Sequence, residues 1–150
     1  MNFNEIEGYF KDKESTNNLL KMYETIFIDI DEVDQDSREN KIETEMQINE
    51  VISRLTSYAN QCSRVAEIAD TFKTGEQARL VYSKIKAWEK KTKPNMTQLK
   101  AEATDEVHYL RRVRNLFRTY AESAGRALST YKAKLSYKRL KNYNSGKETD

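Results

Sequence analysis

The sequence predicts an all-α protein, a long antiparallel helical hairpin with short accessory helices that completes its burial by oligomerising. Three observations lead there. The 150 residues include only 4 Gly and 1 Pro, far fewer than strands and tight turns require. A third of the chain is charged and 37% is hydrophobic, and the mean hydropathy of −0.90 suits thin amphipathic helices with narrow apolar seams. Two long stretches also carry apolar residues at a spacing of seven.

The elements follow in order, within one domain spanning 1–141. Residues 1–40 are the least regular. Phe3, Tyr9 and Phe10 cluster around Gly8, and Ser15-Thr16-Asn17-Asn18 offers caps for a helix starting near Leu19. Residues 29–36 read as an acidic connector or weakly helical stretch. Over 42–73, Ile48, Leu55, Cys62 and Ala69 recur at seven, as do Val51, Tyr58, Val65 and Phe72, which predicts a long helix. Lys73-Thr74-Gly75-Glu76 reads as its C-cap and a bend. A short basic helix is expected over 76–91, with Val81, Ile85 and Trp88 on its inner face and Thr92-Lys93-Pro94 as its stop. Asn95, followed by Gln98, resembles a capping box that opens a long basic helix over 97–141. There Ala103, Leu110, Phe117, Ala124 and Tyr131 recur at seven. Residues 142–150 read as a disordered tail.

Charge divides along the chain. Residues 1–72 hold 7 Lys and Arg against 16 Asp and Glu, whereas residues 73–150 hold 19 against 8, so a near-neutral total conceals an acidic half and a basic half. A dense positive field of this kind attracts polyanions.

Catalysis finds little support, and the chain is read as non-enzymatic, with no cofactor and no metal. The single histidine, His108, has no second imidazole to share a metal and reads as a solvent-facing or interface residue. Cys62 falls on the seam as a small hydrophobe, away from the basic neighbours a reactive thiolate needs. The acidic run fails as a calcium loop: counted from Asp29, position 6 is Asp34 instead of Gly and position 12 is Asn40 instead of Glu. The four glycines are isolated, so no phosphate-binding glycine loop exists. The N-terminus lacks a basic and apolar leader, and no apolar run reaches the length of a membrane span, which predicts a soluble cytoplasmic protein.

The positive signal lies in the basic half. Arg111, Arg118, Lys132 and Arg139 share one heptad position, and aromatic residues are interleaved among the cations. Lys and Arg neutralise phosphates, while exposed rings stack on unpaired bases without reading sequence, a combination suited to single-stranded nucleic acid. The expected phosphate contacts are Arg79, Lys84, Lys86, Arg111, Arg114, Arg118 and Lys132, with Tyr82 as the stacking residue and Trp88 as a core residue of the short helix. Two other classes compete: an adaptor or inhibitor acting through the acidic half, and a structural assembly protein whose halves pair between subunits.

Three segments resemble the UvsY recombination mediators of T4-like phages. Arg79-Leu80-Val81-Tyr82-Ser83 is similar to that family's basic-aromatic stretch, Ala103-Thr104-Asp105-Glu106-Val107 to an acidic-aliphatic start, and Ala127-Leu128 is followed at a similar distance by Lys132. The likeness covers about residues 40–140. It departs where the family's glycine-rich polar loop is replaced by residues 85–94, and the first forty residues match poorly. The resemblance implies a phage-encoded homo-oligomer that binds single-stranded DNA in the host cytoplasm and loads a RecA-like recombinase while displacing single-strand-binding protein.

Overall fold

A computed structural model describes residues 1–39, 43–88 and 95–145. Every regular element among them is helical: α1 (Phe3–Gly8), α2 (Lys13–Ser37), α3 (Glu45–Ala87), α4 (Met96–Glu106) and α5 (His108–Ser145). The all-α class is therefore observed, and among the described residues no helix is long and apolar enough to cross a membrane.

The element boundaries depart from the sequence reading in five places. The N-terminal segment is regular. Asn2 and Glu5 close a reciprocal capping box on α1, and Asp12 accepts the Ser15 N–H at 2.7 Å, so α2 starts six residues earlier than Leu19. The acidic run 29–36 lies inside α2 and is fully helical. No bend occurs at 73–76: α3 runs unbroken for 43 residues, about 65 Å, and no glycine among the described residues has positive φ. A lone glycine costs a helix only about 1 kcal/mol, and here the flanking side chains support the turn. Thr71 and Thr74 donate to the carbonyls four residues back, while Asp70–Lys73 and Glu76–Arg79 pair along the surface.

The fourth departure lies at Val107, where the long helix expected over 97–141 is broken by one residue into α4 and α5. The sequence holds no breaker there; tertiary contacts decide, because Val107 is buried and Tyr109 donates to the Phe10 carbonyl at 2.8 Å. Asn95 caps α4 as expected, accepting from Thr97 and Gln98 N–H, although the Gln98 amide donates to Glu102 instead of returning to Asn95. Residues 142–145, read as tail, extend α5; residues 146–150, the 92–94 stop, and Lys90 and Lys91 lie outside the described residues.

Packing groups the chain into two compact units, Met1–Met22 with Arg64–Phe117 and Tyr23–Ser63 with Arg118–Asp150. In the first, Phe10 packs on Phe72 with ring centroids 6.0 Å apart, and α3 runs antiparallel to the α4–α5 pair, with Asp70 meeting Arg114 and Gln77 meeting Thr104. Its core holds Leu19, Val65, Ala69, Leu99, Ala103, Leu110 and Phe117. In the second, Phe27 stacks on Tyr120 at 4.1 Å, and Ile30, Leu55, Cys62, Ala124 and Tyr131 are buried. There α5 runs parallel to α2, with Tyr120 donating to Asp31 and Lys134 to the Glu39 carbonyl, and antiparallel to α3, with Tyr120 near Cys62 and Asn142 donating to Glu45.

Candidate nucleic-acid interface

The first unit contains a cleft of about 270 Å³ between α3, the end of α4 and the start of α5. Helical spacing puts Lys73 and Gln77 one turn apart on one face of α3, and Arg111 and Arg114 one turn apart on α5, so two elements each offer a pair of polar side chains. Thr104 and His108 complete the rim and Val107 the floor. Three cations thus line one cleft with room for a phosphate group.

Their electrostatic states differ. Arg111 is exposed and makes no ion pair among the described residues. Arg114 is half-buried and donates from Nη1 to Asp70 Oδ1 at 2.7 Å, the same oxygen that receives Lys73 Nζ at 2.7 Å. Hydrogen bonds from Lys73 and then Arg114 hold the Asp70 carboxyl down at about 2, so it stays ionised at any physiological pH.

The eight residues singled out by sequence are dispersed. Arg111 and Arg114 meet in the cleft. Lys84 points along the same face of α3 as Lys73 and Gln77, but its amine pairs with Glu106 at 2.9 Å and Glu102 at 3.2 Å, hydrogen bonds that raise its pKa. Arg79 pairs with Glu76 and lines a separate recess of about 260 Å³ with Lys11, Glu106 and Tyr109. Tyr82, 69% exposed, and Lys86 project from the other side of α3, about 160° around the helix from Lys84. Arg118 and Lys132 are exposed residues of the second unit. Tyr109, one of the interleaved aromatics, is tied to the Phe10 backbone and half-buried, which removes it as a stacking platform. Trp88 is half-buried at the end of α3.

Lys73 and His108 are cleft residues that the sequence reading did not select. The sequence places Lys73 in an apparent bend; a helical period continued through Gly75 sets it one turn from Gln77 and three from Lys84. His108 carries no such signal, because its place depends on the break at Val107. Beside it Arg112, Lys13, Asp105 and Glu106 line a wider recess of mixed charge.

No group of three or more His, Cys, Asp or Glu side chains among the described residues is arranged to hold an ion, and burial pushes the Cys62 thiol up to about 12. The acidic run is engaged internally: Arg54 pairs with Asp29 at 3.3 Å, Tyr120 donates to Asp31 at 3.1 Å, and Arg38 pairs with Asp34 at 2.7 Å. No known protein family, curated protein or solved structure matches this chain.

Proposed function

We propose that the chain is a non-enzymatic binder of single-stranded DNA that takes phosphates through the cleft of the first unit. The observation that carries this reading is the presence of Lys73, Arg111 and Arg114 on one cleft of about 270 Å³, roomy enough for a phosphate group, with Arg111 unpaired among the described residues. Outside the cleft, on the other side of α3, exposed Tyr82 beside Lys86 supplies a ring and a cation of the kind that holds unpaired bases, a second contact that favours a flexible single strand over a stiff duplex. The likeness to UvsY mediators extends the proposal to a homo-oligomer that works with a RecA-like recombinase and a single-strand-binding protein.

A labelled oligonucleotide tests it. If three cations neutralise phosphates, log K should fall by about 2 per tenfold rise in salt, at about 0.7 per contact on a single strand. Arg111→Glu should weaken binding to all sequences alike, and the oligonucleotide should be recovered chemically unchanged. Salt-independent binding, or none at low salt, refutes the proposal. Light scattering with and without the oligonucleotide reports subunit number. The competing adaptor reading gains nothing from the acidic run, whose carboxylates Asp29, Asp31 and Asp34 already have partners within the second unit.

A further inference from the structure

One anion at the cleft belongs to the chain itself. Asp70 lies one turn before Lys73 on α3, and its Oδ1 receives both Lys73 Nζ and Arg114 Nη1 at 2.7 Å. Those are two of the three cations lining the cleft. The carboxylate offers what a phosphate oxygen would offer, a charged acceptor between an ammonium and a guanidinium. It is also 44% exposed, so solvent and ions can compete for its partners.

We propose that Asp70 is a built-in competitor for the anion that the cleft takes. It holds Lys73 and Arg114 until a phosphate enters beside Arg111, and then gives both up. The inference rests on the nucleic-acid reading above and names how that site is tuned. A lone phosphate has chiefly Arg111 to hold it while Asp70 is being displaced. A strand is retained by further cations at neighbouring phosphates, so its effective concentration at the cleft stays high. Asp70 therefore biases the cleft towards polyanions and against single small anions.

Fluorescence anisotropy with a labelled single-stranded oligonucleotide tests this. Asp70→Asn should tighten binding about three- to tenfold, while the log–log salt slope stays near the value of about 2 set by the same three cations on phosphate. Glu67→Gln removes the same charge from an exposed position on α3 outside the cleft and sets the baseline for a general change of field. If Asp70→Asn matches Glu67→Gln in affinity while the unaltered protein binds, the competitor is overturned and the nucleic-acid reading survives. The unaltered protein gives a second readout that needs no variant to fold. Its Asp70 carboxyl carbon resonance should shift when the oligonucleotide is added, and a resonance that stays in place overturns the proposal. If neither protein binds at low salt, the nucleic-acid reading falls and the competitor with it.

Discussion

Replacing Gly75 by alanine should stabilise the protein. Gly75 is exposed in the middle of α3, its φ is not positive, and a Cβ built on it meets nothing within 4 Å. Alanine then brings only its helical preference and a less disordered unfolded chain, together worth about 0.5–1 kcal/mol. Had residues 73–76 formed the bend that the sequence suggests, with Gly75 in the left-handed region, the same change would cost about 1–2 kcal/mol. The two pictures therefore differ in sign. Urea unfolding followed by far-ultraviolet circular dichroism reads it: with a slope of about 2 kcal/mol/M, the midpoint should rise by roughly 0.3–0.5 M at unchanged slope. The melting temperature should rise by a few degrees. A lower midpoint refutes a continuous α3 with Gly75 in helical geometry. An unchanged midpoint would mean that the glycine has a tertiary role no contact here accounts for.

Three further outcomes are expected. Phe117→Ala deletes a fully buried ring in the first unit and should cost about 3–5 kcal/mol in the same urea assay. Cys62 should resist a thiol-disulfide reagent until the protein unfolds. Its folded pKa, about 12, lies above the unfolded value of about 8.5, so its contribution is complete below 8.5 and is lost as pH rises towards 12, an alkaline arm that Cys62→Ala should flatten. Asp70 behaves in the opposite sense. Its pKa is depressed to about 2 from an unfolded value near 3.9, so its pairing stabilises the protein above pH 4 and is lost between pH 4 and 2. Because the carboxylate is partly exposed, that arm should be under about 1 kcal/mol, and Asp70→Asn should remove it.

The seams were legible because burial in a helix leaves a period that any neighbour must respect. Ile48, Leu55, Cys62 and Ala69, and likewise Ala103, Leu110, Phe117, Ala124 and Tyr131, were expected inside from spacing alone, and all are buried. Continuity was less legible. A glycine and a polar quartet look alike whether they end a helix or lie on its exposed face, and what separates the cases at Gly75 is support from the flanking turns. The break at Val107 has no local cause at all, since it depends on contacts with Phe10 nearly a hundred residues away. The cleft shows the same division. Arg111 and Arg114 could be found from charge and period, but Lys73 and His108 required knowing which helices meet. The commitment of Lys84 to Glu102 and Glu106 was hidden, because those carboxylates lie on another helix.

The unbroken path of α3 through Gly75 makes the cleft sensitive to phase. A hinge at 73–76 would absorb an added residue as loops do, with little disturbance beyond itself. A helix transmits it: one residue inserted beside Gly75 turns everything that follows by about 100° and advances it by about 1.5 Å. Lys73 would keep its place, while Gln77 would leave the cleft and Lys84 would leave Glu102 and Glu106. The basic site is thus written in a counted interval. Along this stretch of chain, the number of residues is constrained more tightly than the identity of the exposed ones.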